Sequence, residues 1–185
     1  PFSIVMKISI QSLCAKAALF VFLSVTTAQG VFAATWYVNS SATGSKNGTS
    51  WANGWTNLDQ ITGVSAGDTV YISGGSSGTS LQYTQLQYWA PASGTTGNPI
   101  TYKIGQDAAH NGTAVFNVTN PTNWVGGSPH DVVISGDAGD GAMHFKMGSG
   151  VTYPVNGNGF YNFRFSYVDC GNPKYGMSFS GVHGI

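Results

Sequence analysis

Three stretches of this chain bring acidic and basic side chains close enough in sequence to suggest chemistry. Asp107 stands three residues before His110 in the stretch Gly105–Gly112. Asp137 and Asp140 share the glycine-rich stretch Ser135–Gly141. A looser set, His130, Asp131, His144, Lys146, Arg164 and Asp169, is spread over strand-like sequence. An Asp–His pair is a candidate proton relay, or the base that activates a nucleophile. Two aspartates in a loop could help hold Ca2+, which takes several hard oxygen ligands.

The local sequence favours a plainer reading of each. The Asp107/His110 stretch supplies no nucleophile for the pair to activate. Asn111-Gly112 is strong turn chemistry, because both residues tolerate a left-handed backbone. An aspartate entering such a loop commonly accepts hydrogen bonds from N–H groups ahead of it. Asp107 and His110 are therefore expected to form a corner between two strands. The Asp137/Asp140 spacing matches neither an EF-hand loop nor the glycine-rich nonapeptide repeat. A solvated turn is expected there, with Ca2+ as the alternative cofactor. Outward charges on strands are ordinarily solvated, and Cys170 and His183 have no partner legible in the sequence. No catalytic, substrate-binding or metal-binding residue is assigned from the sequence.

The composition says what must position these residues. Only 8% of residues are charged, 13% are aromatic, and 26 of 185 are glycine. Such a chain suits short strands joined by tight turns rather than helices. Its 42% hydrophobic content argues against disorder. Strand-like runs fall at Thr35–Val38, Asp68–Ser73, Ile100–Ile104, Thr113–Val118, Asp131–Ser135, Ala142–Met147, Phe160–Val168 and Met177–Ser180. Ile100, Tyr102 and Ile104 alternate with Thr101 and Lys103, the period of a half-buried strand; Phe163, Phe165 and Tyr167 alternate likewise with Arg164 and Ser166. One segment, Asn57–Val64, predicts a short helix. Asn57 is its N-cap, Leu58, Ile61 and Val64 form its apolar stripe, and Gly63 marks its end.

The strand centres Val70, Thr101, Val132 and Asn162 recur at intervals of about 30 residues. That rhythm suits a solenoid whose turns each add two or three strands to parallel sheets, and a Greek-key sandwich could share it. Stacking at this interval would set Asp131 beside Arg164.

Residues 1–5 precede the first methionine and read as upstream read-through. Residues 6–33 read as a secretory signal: Lys7, then the apolar Ala17–Val25, then small residues around Ala33. The apolar run is too short to span a bilayer, which takes about 20 residues. Beyond it Cys170 is the only cysteine, so no disulfide framework is expected. Seven aspartates face Lys46, Lys103, Lys146, Lys174 and Arg164 there, a balance without the basic patch of a nucleic-acid binder.

Residues then carry a resemblance. "ATWYVNSSATGSKNGTSWANGWTNLDQI" (34–61), followed by "AGDTVYISGG" (66–75), is similar to the opening of secreted right-handed parallel β-helix proteins of the pectate-lyase-like superfamily. "GNPITYKIGQDAAHNGTAVFN" and "YGMSFSGVHGI" resemble the coils that follow. The resemblance spans residues 34–185. It implies an all-β parallel solenoid with a short N-terminal capping helix, and a final strand-like run without a cap implies the N-terminal part of a longer domain. It further implies a secreted or cell-surface protein that acts on or binds extracellular polysaccharide, as a lyase or glycoside hydrolase. A non-catalytic adhesion or structural module is the alternative. In a lyase, a base beside carboxylates on the outer face would serve proton abstraction from a uronic acid. Exposed Trp and Tyr would stack on sugar rings. Trp51 and Trp55 are expected to pack the N-terminal cap, while Tyr88-Trp89 stays open between core and surface.

Overall fold

The computed structural model describes residues 32–120 and 122–171, together with the backbone of the strand Ser178–Ser180. Residues 6–31 of the expected signal segment, and His183, lie outside the described residues.

Twelve strands are described: β1 (Thr35–Val38), β2 (Thr69–Ile72), β3 (Ser80–Gln85), β4 (Ile100–Ile104), β5 (Thr113–Val118), β6 (Thr122–Val125), β7 (His130–Ser135), β8 (Phe145–Met147), β9 (Val151–Asn158), β10 (Tyr161–Ser166), β11 (Val168–Asp169) and β12 (Ser178–Ser180). They form three parallel sheets, ordered β1-β2-β4-β7-β10, β3-β5-β8-β11 and β6-β9-β12. Successive circuits of the chain add their strands to these sheets in sequence order. The result is a parallel β-solenoid of about four turns.

Register sets the turn length. Thr35 pairs with Thr69, Thr69 with Thr101, Thr101 with Val133, and Val133 with Arg164. Measured on the first sheet, the circuits therefore close at nearly equal length, the first being slightly the longest and the last slightly the shortest. The expected interval falls within a few residues of each. Asp131 lies across from Asn162, whose Nδ2 donates to its carboxylate at 2.9 Å, and Arg164 stands against Val133. The expected Asp131–Arg164 neighbourhood is therefore corrected, because the register carries Asp131 two positions short of the arginine.

Alternation points one ladder of side chains inward and the next outward. Val38, Ile72 and Ile104 stack inside, as do Val70, Tyr102 and Ile134, all fully enclosed. Tyr167 breaks its expected inward pattern: with φ at 55° it leaves the ladder and is exposed. Trp124 occupies the middle of an aromatic interior, stacked on Phe116 at 4.3 Å and meeting Phe145, Phe165 and Trp89. Trp89 in turn packs edge-on against Tyr102 at 4.7 Å, which assigns Trp89 to the core and leaves Tyr88 exposed.

The predicted short helix forms as one turn. Only Leu58–Gln60 winds, as a single 3-10 turn, with the Asn57 side chain accepting the Leu58 N–H at 2.9 Å. Leu58 is buried and Ile61 and Val64 pack partly against the core, so the apolar stripe works without a full helix. Asn57 Nδ2 also donates to the Thr84 carbonyl, seating the turn against β3, the edge strand of the second sheet. Trp55 stacks on Trp36 at 5.4 Å, and its ring lies where any side chain at Gly48 would stand.

Asp68 ties the first turn to the second. Its buried carboxylate accepts the Ala34 N–H at 2.7 Å, the Trp36 indole N–H at 2.9 Å and the Ser65 N–H at 2.9 Å. Burial opposes its ionisation, but these donors outweigh that and hold the carboxyl below its ordinary range. Replacing Asp68 with alanine strands three donors, and should cost about 2–3 kcal/mol of stability. Urea unfolding of Asp68→Ala checks this; an unshifted midpoint would show that the clip is dispensable.

Candidate functional site

The corners between the first and second sheets carry most of the sequence's acid–base pairs. In the corner 105–112, Asp107 accepts the Ala109 N–H at 3.0 Å, and its carbonyl accepts the His110 and Asn111 N–H groups. His110 Nδ1 meets Asp107 Oδ1 at 2.6 Å. The His110 ring lies flat on Trp51, with centroids 3.9 Å apart and planes 10° apart. Trp51 is thus a surface shelf for a later turn's corner, not part of the cap where the sequence placed it. Partial burial opposes ionisation of Asp107, but hydrogen bonds from His110, Ala109 and Trp51 prevail and lower its pKa. The expected corner is what forms. Its Asn-Gly pair serves differently, since neither residue adopts a positive φ. Gly112 is required because it crosses Gly74 so closely that a Cβ would collide with the Gly74 carbonyl.

The next corner, 136–144, repeats the device. Asp137 and Asp140 each accept an N–H two residues ahead, from Gly139 and Ala142. His144 Nε2 lies 3.0 Å from Asp140 Oδ2, and its Nδ1 lies 3.1 Å from the Gly112 carbonyl. A carboxylate and a carbonyl are both acceptors. A ring with a single N–H can therefore donate to only one of them. The Ala142 N–H, and then His144, lower the Asp140 pKa. Among the described residues no group of three or more His, Cys, Asp or Glu is placed to hold a metal ion.

His130 and Asp131 sit elsewhere, at the start of β7. His130 Nδ1 is 2.9 Å from Asp131 Oδ2, and its ring stacks on Tyr161 at 4.4 Å. Asn162 first, then His130, lower the pKa of Asp131. Each described histidine is thus engaged with an aspartate and fixes a strand end or a corner.

An open groove of about 530 Å³ runs over the outer face of the second sheet. Thr79 and Ser80 border it beside and on β3, Thr113 and Val115 from β5, Met143 and Lys146 beside and on β8, and Asp169 from β11. Val115, Lys146 and Asp169 are register partners on β5, β8 and β11, so one outward ladder makes its floor. Lys146 Nζ stands 3.7 Å from Asp169 Oδ2, and both side chains are about half exposed. Met143 presents its thioether to solvent, 57% exposed. From the sequence's loose set, the fold brings Lys146 and Asp169 together and leaves Arg164 apart on the outer face of the first sheet. Thr79, Ser80, Thr113 and Met143 carried no signal, since hydroxyls and a methionine are ordinary in such segments.

A comparison with protein-family models, curated proteins and solved structures found no match. Among the described residues no helix is long and apolar enough to cross a membrane.

Asp68, Asp107 and Asp140 are ionised in the fold with pKa values below their ordinary one. Their contribution is complete above the unfolded carboxyl range, about pH 4, and is lost as pH falls through the lowered values. The melting temperature should hold between about pH 6 and pH 5 and fall below about pH 4, less steeply in Asp107→Asn. A chelator should leave it unchanged at neutral pH, and a chelator-induced drop would reveal a metal.

Proposed function

We propose that this is an exported protein of the pectate-lyase-like kind that binds extracellular polysaccharide along the groove of its second sheet. The observation that carries the reading is the groove's construction. Neighbouring strands lie about 4.8 Å apart, so a groove crossing four of them is about 14 Å long, a span that suits a few sugar rings in a row. Apolar Val115 and Met143 lie beside hydroxyls and one charged pair, the mixture that an amphipathic sugar ring contacts through its C–H face and its rim. The signal-like residues 6–33 support export.

Binding rather than bond cleavage is the form of the function the described residues support best. The three Asp–His pairs are occupied in holding corners and a strand end. Lyase or hydrolase activity would draw on Lys146 and Asp169, the reactive groups in the groove. A rigid, non-catalytic stalk is the competing reading, and the groove's mixed apolar and hydroxyl lining counts against a surface that only spaces other parts.

Affinity electrophoresis through gels containing plant, algal and microbial polysaccharides tests the proposal. At least one polysaccharide should retard the protein, and Val115→Arg, which fills the groove, should abolish the retardation while the fold is kept. Unretarded migration across the panel would contradict the reading.

A further inference from the structure

Charge in and around the groove narrows the class of ligand. Among the described residues Lys146 is the one cation that lines it, and Asp169 faces that cation at 3.7 Å. The floor therefore carries no net charge. Asp137 and Asp140 of the preceding corner are not among the residues that line the groove, and His144 is turned onto Asp140. A polyuronate presents a carboxylate on every ring, and any taken out of water by contact with the floor would need a cation or strong donors. Here the cation of the groove is already paired with Asp169.

What remains suits an uncharged sugar chain. Thr79 donates its hydroxyl to the Ser76 carbonyl at 2.7 Å, which leaves its oxygen to accept from a ligand. At 3.7 Å the Lys146–Asp169 pair is looser than a hydrogen bond, so a sugar hydroxyl can accept from the ammonium and donate to the carboxylate. Val115 and Met143 offer apolar contact to the C–H face of a ring. Resting on the polysaccharide reading above, we infer that the groove selects neutral, hydroxyl-rich glycans over polyuronates, with Lys146 and Asp169 acting together as a hydroxyl-binding pair.

The test compares the full exported chain on neutral glucan, xylan and mannan with polygalacturonate and alginate, at low and high salt. Wild type should be retained by a neutral glycan, with little salt dependence, and not by the polyuronates. Lys146→Ala should weaken neutral binding about fivefold, the loss of one hydrogen-bonding partner. Asp169→Asn unmasks the cation, and should create salt-sensitive retention by polyuronate where wild type has none. Both positions are half exposed, and matching thermal melts would confirm that each variant folds. Retention of wild type by polyuronates alone would overturn the neutral-glycan inference and leave polysaccharide binding standing. Retention by neither class would remove both. An Asp169→Asn variant indifferent to polyuronate would show that charge pairing does not set the selectivity.

Discussion

Every feature of this molecule depends on one constraint: the chain must return to the same place, one strand spacing higher, after each circuit. A parallel ladder tolerates no slip, because a one-residue shift would turn the whole inward set outward. Val70, Tyr102 and Ile134 can stack inside only if successive circuits close at nearly equal length. On the first sheet the circuits meet that demand to within a few residues, the last circuit on the second sheet is shorter, and the corners absorb the differences. Corners are therefore where polar chemistry concentrates. They carry the backbone groups that no ladder satisfies, and aspartate is the residue that accepts them.

The Asp–His pairs follow from this. At the two corners an aspartate folds the chain onto its own N–H groups, and a histidine a few residues on closes the loop across it. Each ring is also bound to something beyond its own segment: Trp51 for His110, the Gly112 carbonyl for His144, Tyr161 for His130. The pairs look like catalytic dyads in sequence because the same two side chains that share a proton in catalysis also make a compact, charge-assisted latch. Geometry separates the two roles. In a latch both partners point at the chain, and in a dyad one points at a substrate.

How much is legible in the sequence follows from which signals survive the solenoid's geometry. The first sheet is plain, because strands such as Ile100–Ile104 alternate cleanly and recur at a steady interval. The third sheet is legible only in its last strand, within Met177–Ser180. Thr122–Val125 is short, and Val151–Asn158 contains Pro154 and Gly157, residues that mark a break in most strands. Ser80–Gln85 hides for a different reason, since its serine, threonine and two glutamines mask Leu81 and the inward Tyr83. The groove cannot be read at all. The last circuit takes a shorter path between Lys146 and Asp169 than the earlier ones do, so the sequence rhythm points past the true partner. The corner at Asp107 is legible because turn chemistry is local, and local signals do not depend on register.

The central claim, an in-register parallel stack, is tested most directly by cross-linking across the outer face of the first sheet. With Cys14 and Cys170 replaced by serine, Thr69→Cys and Thr101→Cys place two thiols on adjacent strands at the same level. Their Cα atoms stand about 4.8 Å apart, inside the disulfide range of roughly 4.4–6.8 Å, whereas Thr69→Cys with Lys103→Cys lies about 8 Å apart and outside it. Mild oxidation should bridge the first pair rapidly and leave the second unbridged. Equal bridging of both pairs, or none in the first, would contradict the register on which the groove and its corners rest.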